Sequence, residues 1–332
     1  MDMANFPRVE LAALPTALQP APRLSRALGG KVNIWIKRDD NTGLAIGGNK
    51  ARKLEFLLAD ALRQGCDTVL TTGGPQSNHC RMTAAAAAKL GLECHLVFNS
   101  RPFDIRQGNL LLDELLGAKL HWRDPAKIEN ISREMSNLAE ELKAQGRRPY
   151  IIPLGGSNEV GAMGYVYAVQ EILQQAEALG IQFEAIVHAS GSGGTQAGLL
   201  AGKLLNNVPT GIIGVSVSRS QAVLQPQVAQ LCQAVLSLLD CDIDPTDHVE
   251  VTDAYVGAGY GLPTEASQSA LQLFARNEGI IIDPVYTAKA AAALVYEVQA
   301  GRWPAGSNVV FWHTGGSPAL FADSIFWEGN QK

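Results

Sequence analysis

Short apolar, β-rich runs alternate with helix-length segments along this chain, and that alternation limits its fold more than any other feature. The strand-like runs include residues 32–37, 68–71, 94–98, 119–122, 150–152, 185–189, 211–217 and 308–313. Between them lie helix-like stretches such as 50–64, 78–90, 109–116, 127–145, 161–179 and 195–205. Strands joined by segments long enough to cross a sheet predict parallel sheets covered by helices on both faces. The expected fold class is therefore α/β. A chain of 332 residues can form one large domain or two of ordinary size. The glycine-rich turns at 43–48 and at Gly155-Gly156-Ser157 are the joints such a division would use. The middle of the chain would then form one lobe, and the two ends would combine into the other.

Composition removes several classes of function. Hydrophobic residues make up 46% and charged residues 18%, which supports a well-filled core and not a disordered chain. A net charge of −5 offers no electrostatic reason to bind nucleic acid or an anionic membrane. The cysteines Cys66, Cys80, Cys94, Cys232 and Cys241 are odd in number and scattered, without metal-ligand spacing. Disulfides and a metal site are not expected. Residues 1–22 lack a basic region followed by an apolar run, and no stretch approaches a membrane span. The expected location is a reducing cytoplasm.

In open α/β sheets, ligands bind at the carboxyl ends of strands, beside helix N-termini. Several turns have that placement here. Gly43-Leu44-Ala45-Ile46-Gly47-Gly48-Asn49-Lys50 puts one lysine between a glycine-rich turn and an amphipathic helix. Such a lysine can bind a phosphate as a point charge or form a Schiff base with a carbonyl cofactor. The match to a nucleotide-binding P-loop fails, because Asn49 intervenes and Ala51 stands where a magnesium-binding hydroxyl belongs. Gln76-Ser77-Asn78-His79 exceeds what a helix cap requires and suits a carboxylate. Ser190-Gly191-Ser192-Gly193-Gly194-Thr195 lacks dinucleotide spacing and reads better as a nest for one phosphate. Tyr260, Tyr286 and Thr314 lie in three further glycine- or proline-punctuated turns.

Taken together, these turns resemble the fold-type II family of pyridoxal-phosphate (PLP) enzymes. The similar branch contains D-cysteine desulfhydrase and 1-aminocyclopropane-1-carboxylate (ACC) deaminase. The segments are Gly-Gly-Asn-Lys-x-Arg-Lys-Leu-Glu at 47–55, Gln-Ser-Asn at 76–78 and Ser-Gly-Ser-Gly-Gly-Thr at 190–195. Tyr-Gly-Leu-Pro at 260–263, Asp-Pro-Val-Tyr at 283–286 and His-Thr-Gly-Gly at 313–316 complete the set. They run in family order over essentially the whole chain. The resemblance implies a two-lobed fold like the tryptophan synthase β chain. Residues 1–50 with 157–332 would form the larger, PLP-binding lobe, and 51–156 the smaller lobe with the substrate-carboxylate turn. A homodimer in the cytoplasm is implied as well.

By the same resemblance, Lys50 forms the Schiff base with PLP. Gly191, Ser192, Gly193, Gly194 and Thr195 hold its phosphate with Lys53, and Asn78 meets its ring oxygen. Gln76, Ser77, Asn78 and His79 receive the substrate, with Ser77 holding its carboxylate or acting beside the reacting carbon, while Tyr260 and Tyr286 flank the substrate and move protons. Deaminase members carry Glu and Leu where this chain has Thr287 and Thr314, as the desulfhydrases do. A carboxylate beside the pyridine nitrogen makes a strong electron sink, whereas a hydroxyl leaves a weaker one that suffices to expel a thiol. The implied reaction is β-elimination on a small amino acid, with D-cysteine giving pyruvate, hydrogen sulfide and ammonia. The alternatives are ACC deaminase, L-cysteate sulfo-lyase and a non-catalytic binding protein on the same fold. A sulfonate would call for a basic side chain in the pocket, and Arg81 alone in the motif turns offers one.

Overall fold

The computed structural model describes residues 6–102 and 104–322. The outer ends of the expected larger lobe, residues 1–5 and 323–332, lie outside the described residues. The chain runs β1 (Leu18–Pro20), α1 (Pro22–Ala27), β2 (Asn33–Lys37), α2 (Lys50–Arg63), β3 (Thr68–Gly73), α3 (Asn78–Leu90) and β4 (Glu93–Phe98). Then follow α4 (Gly108–Leu115), β5 (Lys119–Trp122), α5 (Ile131–Ala144), β6 (Pro149–Ile151), α6 (Glu159–Leu179), β7 (Ala185–Ser190) and α7 (Gly194–Leu205). The last third holds β8 (Gly211–Ser216), α8 (Gln221–Leu238), β9 (Glu250–Thr252), α9 (Glu265–Glu278), α10 (Thr287–Gln299) and β10 (Asn308–Trp312).

The strands form two sheets, one ordered β1-β2-β10-β7-β8-β9 and the other β5-β4-β3-β6. Every pairing is parallel except that of the short edge strand β1 with β2. Strand residues alternate between faces, so a parallel sheet covered twice needs apolar side chains at every position. The sequence of β10 satisfies this: Val309 and Phe311 pack with α9 and α10, while Val310 and Trp312 pack with α6 and α7. The smaller sheet repeats the pattern. Val69, Leu96 and Phe98 meet α2 and α3, and Leu70 and Val97 meet α5. Burying each such side chain contributes roughly 1.5–3 kcal/mol.

A buried ionic cluster fixes α2 to the larger sheet. Arg52 grips Asp39 through Nε and Nη2 at 2.8 Å each, and Glu171 of α6 through Nη1 at 2.9 Å and Nη2 at 2.8 Å. Tyr165 Oη and Trp312 Nε1 also donate to Asp39, at 2.7 and 2.8 Å. Lys37 Nζ pairs with Glu171 beside them. Asp39 would be raised by burial, but Arg52 overrides this and holds its carboxyl down at about 2. Because Arg52 lies on the first turn of α2, this cluster sets where Lys50 begins.

Candidate active site

A cavity of about 380 Å³ opens where the carboxyl ends of the two sheets meet. The Ser77 turn after β3 and Asn99 after β4 line one side, and the Gly191 turn after β7 and the Val217 turn after β8 line the other. Lys50, Ser77, Asn78, His79, Gly191, Ser192, Gly193, Thr195, Tyr260, Tyr286 and Thr314 all contribute to its wall. Residues far apart in sequence thus converge on one space.

Lys50 opens α2 and donates from Nζ to Asn49 Oδ1 at 3.2 Å. Burial pushes its pKa down to about 8, Arg81 adds to the fall, and Asp283 opposes it. Asn49 Nδ2 donates in turn to Thr195 Oγ1 at 3.0 Å, which ties the lysine to the glycine nest. Nothing in the turn motif marked Asn49 as a site residue apart from its position before Lys50. The backbone of β10's turn closes this corner, since Asn49 N donates to Thr314 O at 3.0 Å.

The nest is built from close approaches. A β-carbon on Gly194 would lie 2.6 Å from Lys53 Nζ and 2.5 Å from Ser157 Oγ. Only glycine lets α7 start so near that amine. Lys53 is buried directly beneath, donating to Gly155 O at 3.1 Å and Ser157 Oγ at 3.2 Å. Burial, helped by the charge of Lys50, pulls its pKa well below the ordinary lysine value. Lys53 and Gly194 therefore support the wall from behind without lining it.

Ser77 caps α3, accepting from Cys80 N at 3.2 Å. Asn78 Oδ1 accepts from Asn109 Nδ2 at 2.9 Å. His79 donates from Nε2 to Thr71 Oγ1 at 2.8 Å, because that hydroxyl gives its own proton to Ile152 O. Burial holds His79 neutral, with the charges of Lys50 and Lys53 reinforcing the effect. Gln76 is placed differently from the expectation. Its amide accepts from Asn109 N at 2.9 Å and donates to Gln107 O at 3.0 Å, so it staples the turn to α4 and stays out of the cavity wall.

Tyr260 Oη and Tyr286 Oη lie 2.5 Å apart, and Gly191 sits against the Tyr286 ring. Burial raises both hydroxyls above their usual pKa, so both keep their protons at neutral pH. Thr287 also departs from the expectation. Its hydroxyl donates to Asp283 Oδ1 at 2.6 Å, where Asp283 caps the start of α10, and Thr287 does not line the cavity. Of the two threonines, Thr314 lines the cavity and Thr287 does not. Arg81 likewise points into the loop before Lys50, while Arg219, after β8, lines the cavity. Sequence reading missed Arg219 because Val217-Ser218-Arg219-Ser220 carries no glycine-rich signal.

The model for pyridoxal-phosphate dependent enzymes matches residues 9–315. The chain belongs to this family. It is 46% identical over 327 residues to a D-cysteine desulfhydrase of Klebsiella pneumoniae (strain 342), with 97% of each chain covered. A D-cysteine desulfhydrase of Salmonella typhi is 45% identical over 328 residues, covering 96% of this chain and 97% of the relative. A solved structure described as an ACC deaminase homologue superposes with a TM-score of 0.87 at 41% identity, covering 96% of this chain and 95% of that one. A PLP-dependent aspartate racemase, at 17% identity and a TM-score of 0.66 over 91% of this chain and 90% of its own, shares the fold alone. The resemblance read from the turns therefore holds for family, fold and cofactor.

The residues present fit PLP. The α7 N-terminus offers free backbone N–H groups, Lys53 supplies a buried amine behind them that a phosphate would charge, and Lys50 supplies an amine whose pKa is lowered. A phosphate there would also relieve Lys53, whose cationic form has no anionic partner among the described residues.

Proposed function

We propose that this chain is a PLP-dependent carbon–sulfur lyase that converts D-cysteine and water into pyruvate, hydrogen sulfide and ammonia. The observation that carries this reading is the full-length likeness to D-cysteine desulfhydrases, joined to a cavity in which Lys50 faces both the Ser77 turn and the tyrosine pair. When bound, PLP supplies an aldehyde for the Lys50 amine and an electron sink that acidifies the substrate's Cα–H.

The rest falls to the protein. Gly191, Ser192, Gly193, Gly194, Thr195 and Lys53 would hold the phosphate, Asn78 would bond the ring oxygen, and Thr314 would be the hydroxyl partner of the pyridine nitrogen. The free N–H groups at the start of α3, with the Ser77 hydroxyl, hold the substrate carboxylate. His79 shapes the floor of that subsite as a neutral ring. Lys50 Nζ takes the Cα proton once released, because an amine with a pKa of about 8 is partly unprotonated near neutral pH. Tyr286 Oη, backed by Tyr260 Oη, gives a proton to the departing sulfur. The same reading implies a smaller lobe over residues 51–156, a homodimer and a cytoplasmic location. Sedimentation at several protein concentrations tests the dimer.

The deciding measurement is sulfide and pyruvate release by the PLP-loaded protein from D-cysteine, with L-cysteine in parallel. Equal release of both products from the D-isomer supports the reading. A yellow protein that releases neither would refute it and leave the cofactor in place. One observation favours a second reading: Arg219 in the cavity wall suits a sulfonate, so cysteate belongs in the same assay.

A further inference from the structure

We propose that Arg81 is a positioning residue for Lys50: a buried cation that clamps the loop aiming the lysine and opposes a second positive charge beside it. The inference rests on the Schiff-base role proposed for Lys50.

The loop before Lys50 is held in an unusual state. Ala45, Ile46, Gly47 and Gly48 all have positive φ, at 41°, 71°, 73° and 133°. For Ala45 and Ile46 this conformation is one that residues with a β-carbon rarely adopt, so neighbouring groups must enforce it. Arg81 is one of them. Its Nη1 donates to Ala45 O, and its Nη2 to Gly47 O at 3.1 Å. Thr42 Oγ1 holds the next residue, accepting from Gly48 N at 2.8 Å and donating to Gly48 O at 2.9 Å. Asn49 and Lys50 follow at once.

The clamp is charged without a matching anion. Arg81 is completely buried, and no carboxylate lies within ion-pair distance of it among the described residues. Asp113 of α4 acts on it from further away, but burial raises that carboxyl's pKa, and among the described residues neither of its oxygens has a hydrogen-bond partner. Asp113 therefore offsets the guanidinium charge only in part. A buried, unmatched cation is costly where neutral donors could hold two carbonyls. Its effect falls on Lys50, whose pKa burial and then Arg81 lower. The other groups acting there do not replace it. Lys53 on the same helix and His79 on α3 are driven toward neutrality by burial. Asp283, before α10, pulls in the opposite direction while bonded to Val285 N, Tyr286 N and Thr287.

Arg81 also stands one helical turn from the proposed carboxylate site, since its N–H donates to Ser77 O at 3.2 Å. One rigid helix thus presents the Ser77 turn and grips the Lys50 loop.

The test uses apoprotein to which PLP is returned at a series of pH values, with covalent attachment followed by absorbance. Only the unprotonated lysine can attack the aldehyde, with loss of one water, so the wild-type rate should rise with a midpoint near 8. Arg81→Gln should move that midpoint up by about one unit and slow attachment at neutral pH roughly tenfold. Arg81→Lys should keep the midpoint and lower the plateau, because charge remains but the two-pronged grip is lost. A Gln variant with the wild-type midpoint would overturn the proposal. If that variant does not fold, Arg81→Lys decides: a wild-type rate at every pH would overturn the clamp, and a lowered plateau would support it. Failure of the wild type to attach PLP would instead sink the role of Lys50.

Discussion

The phenolic oxygens of Tyr260 and Tyr286 are 2.5 Å apart with their rings edge-on at 77°, although 26 residues separate them in sequence. One hydroxyl must donate to the other, so the pair holds a proton at a defined place in the cavity. Gly191 packs against the inner ring, that of Tyr286, while Tyr260 is 49% exposed at the mouth. This ordering predicts unequal roles.

Tyr286→Phe should lower kcat by about 100-fold or more, in the range for loss of a positioned acid–base group, with PLP absorbance retained. Tyr260→Phe should cost less, because the inner hydroxyl survives. Steady-state kinetics on both variants check this. Equal losses would show that both hydroxyls are required, and a larger loss for Tyr260→Phe would give the proton to the outer one.

Lys50→Ala should abolish covalent attachment of PLP and reduce turnover to background. Borohydride treatment followed by mass spectrometry of the intact chain gives the answer, since only an imine-bound cofactor becomes fixed by reduction. Retained labelling in the variant would assign the attachment to another lysine.

Phosphate binding in the nest should take up a proton. Lys53 has a strongly lowered pKa in the free protein, and a phosphate beside it would restore its charge. Calorimetry of PLP binding in buffers of different ionisation enthalpy should show the uptake, and Lys53→Met should remove it. Gly194→Ala should weaken PLP affinity about tenfold or more, because its β-carbon would sit 2.6 Å from Lys53 Nζ.

Acid should unfold the protein through the Asp39 cluster. The folded carboxyl lies at about 2 against an ordinary value of 3.8, so the native state binds fewer protons between those values. Its stabilisation is complete above the unfolded value and is lost as pH falls through the folded one. The loss amounts to roughly 2–3 kcal/mol by linkage. Denaturant titrations between neutral pH and pH 2 would measure it, with Asp39→Asn flattening that part of the curve.

The two threonines should separate by observable. Thr287→Val removes the hydroxyl that bonds Asp283 and should lower stability by about 1 kcal/mol with little change in the PLP spectrum. Thr314→Val should alter the spectrum more than the melting temperature. The reverse outcome would return the cofactor contact to Thr287.

Much of this was legible in the chain because its signals are local. The Ser77 and Gly191 turns each follow a strand and precede a helix, and the first N–H groups of a helix lack a partner within it whatever the rest of the molecule does. The bounds Asn78–Leu90 and Lys119–Trp122 are readable to the residue, the first because Ser77 caps the helix and Gly91 ends it. The short strands Leu18–Pro20 and Glu250–Thr252 were not among the runs read, because each is only three residues long and draws its order from a neighbour in the sheet.

By itself, the sequence determined the α/β class, the family and the glycine-rich turns around Lys50, because periodicity and backbone freedom are properties of adjacent residues. Only the tertiary structure decided which side chains within those turns reach the cavity. Gln76 and Thr287 lie in the right motifs, yet α4 and Asp283 take up their hydrogen bonds. Arg219 lies outside every motif and lines the wall, and Arg81 turns away from the cavity to hold Ala45 and Gly47. A polar side chain near a site goes to whichever partner satisfies it once buried, and that partner comes from elsewhere in the chain.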